Sequence, residues 1–312
     1  MKKTLHFESI GGASGDMILG ALVGLGVSVE ELNEELKSLN VDPFEIVVDE
    51  IVEQGMSGVR GKVVLHEHHH HHHDHDHAHG HHHGRHLSTI LKLIDASALP
   101  AGAKTRAAEV FQKIGAAEAA IHGVDIEKIH FHEVGAMDSI VDIVGCCLAL
   151  EKLGVDAVTI RDLPHGHGTI ECAHGTYPNP APATLRILEG FPVRDVDEPF
   201  ELVTPTGAAL LSSWRTAETP AAGGRAVKTA YSFGHRKLNG RPNLLRATLY
   251  EAAADQTADE VLVLESNLDD TTPELVGCLF DQLLAAGALD VFTAPVLMKK
   301  QRQGILLTVL CL

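Results

Sequence analysis

Basic residues are scarce in this chain: 25 lysines and arginines stand against 42 aspartates and glutamates, a formal net charge of -17 over 312 residues. Nucleic acid and anionic lipid both require a basic face, so neither is an expected partner. Aromatics amount to 4%, too few for a platform that stacks single strands. The five cysteines make no CxxC pair and no disulfide framework: Cys146 and Cys147 are adjacent, while Cys172, Cys278 and Cys311 are isolated. Reduced thiols in a cytoplasm fit that pattern. No apolar run reaches the ~20 residues of a membrane helix. Lys2 and Lys3 precede the apolar "MILGALVGLGV", but Glu8 and Asp16 interrupt it and no small-residue cleavage site follows, so secretion is not expected.

What the chain has in excess is histidine, 22 in all. The stretch "EHHHHHHDHDHAHGHHHGRH" runs from Glu67 to His86, inside the chain, interrupted by Asp74 and Asp76 and by glycines, unlike a terminal purification tag. Its neutral imidazoles, among them His68, His70 and His72, suit nickel, copper or zinc and not calcium or magnesium. Such a composition cannot bury a core, so residues 66–86 are predicted to form a disordered loop that binds metal without fixing its geometry. A merely solubilising loop is the alternative.

The remaining length and a 45% hydrophobic content suit two domains of ~100–200 residues each. The predicted fold class is α+β: a mixed α/β N-terminal domain over 1–255 that carries the His-rich insertion, then a C-terminal unit over 256–312. "TLHFESIGGASGDMILGALVGLGV" reads as strand, glycine turn and helix, and "FEIVVDEIVEQGMSGVRGKVVLHE" as a strand pair. Helices are predicted for "LSTILKLIDAS", for "AKTRAAEVFQKIGAAEAAIHG" with its stop at Gly123, and for "DSIVDIVGCCLALEKLG" with Asp138 as N-cap and Gly154 just past its end. "IHFHEV" and "FELV" read as strands. "VLVLESNL", "PELVGCLFDQLLAAGA", "DVFTAPVLMKK" and "GILLTVLCL" follow a βαββ order, the start of an incomplete ferredoxin-like unit.

Polar groups gather at a few places in this layout. In "HFHEVGAMDSIVDIVG", His130 and His132 would share a strand face with Glu133 opposite, and Asp138 and Asp142, four apart, share a helical face. Such a corner could hold a metal or position a base; surface histidines and a simple cap are the plainer reading. "LPHGHGTIECAHGTYPNPAPATL" adds His165, His167 and His174 in a loop rich in glycine and proline. Gly12, Ser14, Gly15 and Asp16 of "SIGGASGDM", and Thr206 and Gly207 of "TPTGAAL", could present backbone N–H groups to a phosphate at a helix N-terminus, although ordinary tight turns read equally well from the same residues. Asp269, Asp270 and Glu274 of "ESNLDDTTPELVG" could hold Mg2+ or Mn2+ against nucleotide phosphates, or merely cap a helix.

Taken together, "GGASGDMILGAL", the internal tract, "IHFHEVGAMDSIVDIVG", "LPHGHGTIECAHGTYPNPAPATL", "ELVTPTGAAL", "RPNLLRATL" and "ESNLDDTTPELVG" resemble the LarC-type nickel insertion proteins, in order and over nearly the whole chain. The resemblance implies a cyclometallase that inserts Ni2+ into pyridinium-3,5-bisthiocarboxylic acid mononucleotide in a CTP-dependent reaction needing Mn2+ or Mg2+. Its product would be the nickel-pincer cofactor of lactate racemase and related enzymes. In that family the CTP site lies in the C-terminal domain, which this sequence carries only in part, so a separately encoded C-terminal polypeptide is an expected partner, and a homo-oligomer an expected assembly.

Forming a nickel–carbon bond on a pyridinium ring requires removal of a ring proton by a base of near-neutral pKa. His130 and His132, with Glu133, Asp138 or Asp142, are the expected catalytic and nickel-handling group; His165, His167 and His174 rank second as ligands, and Asp269, Asp270 and Glu274 would hold the Mn2+ or Mg2+ of CTP. The tract would raise nickel concentration beside the site. The rival readings are a nickel storage protein or metallochaperone without chemistry, and a metal-dependent hydrolase of a phosphorylated small molecule.

Overall fold

The computed structural model describes residues 2–66, 85–131, 135–172, 175–220, 224–252 and 261–312. Of the 66–86 segment read as a disordered loop, residues 67–84, with His68, His70 and His72, lie outside the described residues, as do His132, Glu133 and His174. Arg85 and His86, by contrast, are ordered in a short strand because they pair with His130 and Phe131. The chain divides into two compact units, Met1–Ala253 and Ala254–Leu312. Among the described residues it is a mixed α/β protein with eight α-helices and several sheets.

In the first unit β1 (Lys3–Ser9) leads through a glycine turn into α1 (Gly15–Gly24), followed by α2 (Val29–Leu36). The Ser28 hydroxyl caps α2 by accepting from the Glu31 N–H at 3.1 Å. The strands β2 (Phe44–Glu53) and β3 (Met56–Leu65) form an antiparallel hairpin. It closes on Gln54 and Gly55, both at positive φ, the conformation that lets a two-residue loop follow the strand twist. The two-residue strand β4 (Arg85–His86) precedes α3 (Leu87–Ala96) and α4 (Ala101–His122); β5 (His130–Phe131) then precedes α5 (Met137–Leu153). Both long helices stop at a left-handed glycine, Gly123 (φ 63) and Gly154 (φ 59).

The rest of the unit comprises β6 (Ala157–Ile160), β7 (Leu163–His165), the antiparallel pair β8 (Thr169–Cys172) and β9 (Gly175–Pro178), α6 (Pro182–Ile187), β10 (Val193–Asp195), α7 (Pro205–Trp214), β11 (Arg215–Ala217), β12 (Arg225–Phe233) and β13 (Leu244–Glu251). Seven strands form one mixed sheet in the order β11-β6-β1-β13-β12-β3-β2. β1 pairs parallel to β6 and antiparallel to β13. Against this sheet and the surrounding helices lies α5, with Val141, Ile143, Val144 and Leu148 fully buried. Burying each such side chain contributes roughly 1.5–3 kcal/mol, so this helix is a main prop of the core.

The second unit has β14 (Leu262–Leu268), α8 (Pro273–Ala285), β15 (Asp290–Leu297) and β16 (Gln303–Cys311), with an antiparallel sheet in the order β14-β16-β15. Its small core is Val291, Leu307 and Val309, packed by Leu268, Leu279, Phe280 and Leu283.

Two local expectations are corrected, and a third is met in part. The strand read in "FELV" is a single parallel bridge of Val203 to Ala13, because no neighbouring strand continues the ladder. The helix α5 begins one residue before Asp138, with Ala136 as N-cap, so Asp138 sits in the first turn, where its Oδ1 accepts from the next residue's N–H, that of Ser139, at 2.8 Å. The strand read in "IHFHEV" is described only for His130 and Phe131.

Candidate functional site

The bridge between Ala13 and Val203 positions a cleft. Ala13 N–H donates to Leu202 O at 2.9 Å and Thr204 N–H to Ala13 O at 3.1 Å, so the two residues that follow, Ser14 and Thr204, lie side by side. Ser14 is the N-cap of α1 and Thr204 that of α7, where its hydroxyl accepts from Gly207 N–H at 3.1 Å. This approach needs glycine on both sides: a Cβ on Gly207 would lie 2.2 Å from Ala13 O, and one on Gly12 2.2 Å from Leu202 O. A third helix joins through Gly15, whose added Cβ would meet Asp142 Oδ2 of α5 at 2.7 Å.

First turns of three helices therefore line one cleft of about 380 Å³: Ser14, Gly15 and Asp16 from α1, Asp138 and Ser139 from α5, and Thr204, Pro205 and Thr206 from α7. Asp142, Glu201 and, from β3, Lys62 and Val63 complete the lining. Helix N-termini carry partial positive charge and unpaired N–H groups, so their convergence favours an anion such as a phosphate. The same wall carries four carboxylates, which favour a cation or accept a proton.

Asp142 stands out electrostatically. Its Oδ1 is buried without a hydrogen-bond partner. Burial first, then the neighbouring charges of Asp16 and Asp138, push its pKa well above the usual carboxylate range. One turn along, Cys146 Sγ lies 3.5 Å from Gly15 O, and burial pushes its thiol far up as well, so it stays protonated in the metal-free chain. Asp16 accepts from the Ser14 hydroxyl and faces His235, whose Nε2 lies 3.4 Å from Asp16 Oδ2 and 3.3 Å from Gly61 O.

Of the residues singled out from sequence, Ser14, Gly15, Asp16, Asp138, Asp142 and Thr206 meet at this cleft, while Gly12 and Gly207 act one step back by letting the loops touch. His130 is exposed on β5. His165 Nδ1 lies 3.6 Å from Asp195 and His167 Nε2 3.0 Å from Asp197, so both loop histidines pair locally, and neither lines the cleft. Asp269 borders a separate groove of about 570 Å³ within the second unit, with Thr271, Leu297, Gln303 and Gly304, and its Oδ2 accepts from Arg302 at 3.3 Å; Asp270 and Glu274 are not among that groove's lining residues. Among the described residues no three His, Cys, Asp or Glu side chains form a group that could hold a metal ion. Sequence reasoning missed Lys62, Glu201, Thr204 and His235. The last had a signal in "FGHRKLNG", a histidine in a glycine-flanked turn; Lys62, mid-strand, had none.

The family model for nickel insertion proteins matches residues 5–312. The chain belongs to this family. Among its relatives is the pyridinium-3,5-bisthiocarboxylic acid mononucleotide nickel insertion protein of Geobacillus kaustophilus, 43% identical over 317 residues that cover 99% of this chain and 76% of the relative. The protein of the same name from Staphylococcus epidermidis is 41% identical over 311 residues, covering 100% of this chain and 75% of the relative. The chain thus spans about three quarters of the length of these family members. A solved structure of LarC2, the C-terminal domain of a cyclometallase involved in the synthesis of the NPN cofactor of lactate racemase, shares 55% identity over 16% of this chain and 35% of that one, with a TM-score of 0.16. No helix among the described residues is long and apolar enough to cross a membrane.

Proposed function

We propose that this chain inserts Ni2+ into pyridinium-3,5-bisthiocarboxylic acid mononucleotide to form the nickel-pincer cofactor, and that the cleft at the three helix N-termini is where the mononucleotide reacts. The observation that carries this reading is Asp142, a carboxyl with an unpartnered buried oxygen in the wall of a cleft otherwise suited to phosphate. The phosphate would lie on the N–H groups of the first turns of α1 and α7, with Lys62 as counter-charge. Asp142, its pKa held above the ordinary range in the free chain, is the base. The cationic ring and Ni2+ entering beside it favour the carboxylate, so its resting proton leaves to water. A ring C–H bond then breaks, its electron pair becomes the bond to nickel, and the proton goes to the carboxylate. Asp16, Asp138 and Glu201 line the same cleft and would offer oxygens to an incoming metal. The loop histidines and the tract would supply nickel; they do not set the geometry of the reaction.

The reading extends to CTP with Mn2+ or Mg2+ at the groove of the second unit, where Asp269 offers an oxygen ligand and Arg302 a cation for phosphate. The βαββ order of that unit matches the opening of a ferredoxin-like unit. A reducing cytoplasm suits the five free cysteines.

The test is a mass spectrum of the mononucleotide after incubation with the chain, Ni2+ and Mn-CTP, with CTP omitted in a control. A CTP-dependent gain of nickel with loss of protons is expected, and no gain with Asp142→Asn. Tight nickel binding by the protein with no change in the mononucleotide would instead mean storage or delivery.

A further inference from the structure

Outside the cleft, β4 and β5 pair antiparallel and set His86 directly opposite His130. Their rings lie with centroids 3.7 Å apart, tilted by 47°. His86 is half-buried, and its Nδ1 is buried without a hydrogen-bond partner, whereas His130 is exposed. Directly opposed residues of an antiparallel pair have Cβ atoms about 4.5–5.5 Å apart, so two imidazoles there can share one ion at the usual nitrogen–metal distance of about 2.0–2.1 Å by side-chain rotation alone.

The pair also has a definite place in the chain. His86 is the last histidine of the tract, and Arg85 beside it donates from Nη1 to Gly135 O at 3.2 Å, two residues before α5 begins. A Cβ on Gly135 would lie 2.5 Å from Phe131 O, so Gly135, two residues before α5, sits close against the end of β5. One short ladder thus joins the sequence end of the histidine-rich segment to the strand that precedes the helix carrying the cleft carboxylates.

We infer that His86 and His130 form a two-nitrogen binding site for a divalent transition ion, a transfer point between the tract and the cleft. Two imidazoles with water completing the shell select nickel, copper or zinc over magnesium, and they bind loosely enough to release the ion onward, as a four-ligand structural site would not. That the cargo is nickel rests on the proposed insertion activity; the site itself rests on the geometry of the pair.

The experiment is carbethoxylation of the full chain by diethyl pyrocarbonate, read histidine by histidine by peptide mass spectrometry, with and without Ni2+ in excess over the tract. Labelling of His130 should fall about tenfold with Ni2+, stay unchanged with Mg2+, and remain constant at His122, far along α4. In His86→Leu the Ni2+ protection of His130 should vanish. His130→Ala, at an exposed position that does not threaten folding, should reciprocally abolish the protection of His86. Equal labelling of His130 with and without Ni2+, or protection that survives His86→Leu, would overturn the site. Protection without any nickel gain by the mononucleotide would leave the pair standing and remove the insertion activity, while nickel gain without protection would do the reverse.

Discussion

Gly15 and Asp142 occupy the same few cubic ångströms: a single methyl group on the first would sit 2.7 Å from a carboxylate oxygen of the second and 2.8 Å from its Cβ. The contact locks the N-terminus of α1 against α5 and confines Asp142 to the cleft wall. Gly15→Ala should therefore destabilise the first unit by about 1–3 kcal/mol, the usual cost of forcing extra volume into a packed site. It should also cut nickel insertion sharply by turning the carboxyl away. Thermal melts of Gly15→Ala, Asp142→Ala and the double variant decide it. The smaller side chain at 142 should relieve most of the Gly15→Ala penalty, and strictly additive losses would contradict the contact.

Asp142→Asn should separate stability from function. The native pKa of Asp142 is raised, so the folded chain holds this proton more tightly than the unfolded chain, where an aspartate titrates near its ordinary value of about 3.9. Its stabilising effect is complete below that unfolded value and is lost as pH rises through the folded one. Asparagine does not titrate, so the variant should melt with a flatter pH profile and exceed the parent at ~pH 8; each 1 kcal/mol is worth about 2–4 °C in a unit of this size. Insertion should be lost at every pH. Parallel melting profiles for the two proteins from ~pH 4 to 8 would show that the carboxyl is not held in its neutral form.

Lys62 reaches the cleft from β3, where its Nζ lies 3.9 Å from Asp49 Oδ2 and its side chain is 47% exposed. A cation this open contributes on the order of 1 kcal/mol, about fivefold in binding. A phosphate far from the reacting ring is held equally in ground and transition states, so Lys62→Met should raise KM for the mononucleotide about fivefold and leave kcat unchanged. The difference should shrink as salt is raised. A fall in kcat at constant KM would move Lys62 from phosphate binding into the chemical step.

Local signals carried much of this architecture. Gly123 and Gly154 mark helix ends because only a residue tolerant of positive φ closes a helix that way. Asp138 and Asp142 were legible as a pair because four residues is one helical turn, and Asp142 as unusual because α5 is otherwise nearly all apolar around it. Non-local contacts carried the rest. A single bridge between Ala13 and Val203, far apart in sequence, assembles the cleft, and no periodicity in "FELV" distinguishes one bridging residue from a full strand. Lys62 and His235 enter only because the sheet order sets β3 and the turn after β12 beside α1. The loop histidines looked like ligands from spacing alone; Asp195 faces His165 through the parallel register of β7 and β10, and Asp197 faces His167 just beyond it.

That loop depends on an ion pair between a buried glutamate and a half-buried arginine. Glu198 is 2% exposed, and Arg241 Nε lies 3.2 Å from its Oε1. The Glu198 backbone carbonyl also accepts from His167 N–H at 2.9 Å, and a Cβ on Gly166 would strike Phe200 O at 2.1 Å, so the loops of residues 165–168 and 196–201 fit as one unit around the pair. Removing one partner leaves a buried charge uncompensated, so Arg241→Met should cost about 3–5 kcal/mol, whereas replacing both by apolar groups is often nearly neutral. Glu198→Leu with Arg241→Met should accordingly recover most of the stability lost in Arg241→Met alone. Glu201 lies three residues from Glu198 and lines the cleft, so the readouts must be paired: a double variant that melts like the parent and still inserts nickel assigns the pair to stability alone. A double variant equally stable but inactive would mean that the charges themselves hold Glu201 in register with the reacting site.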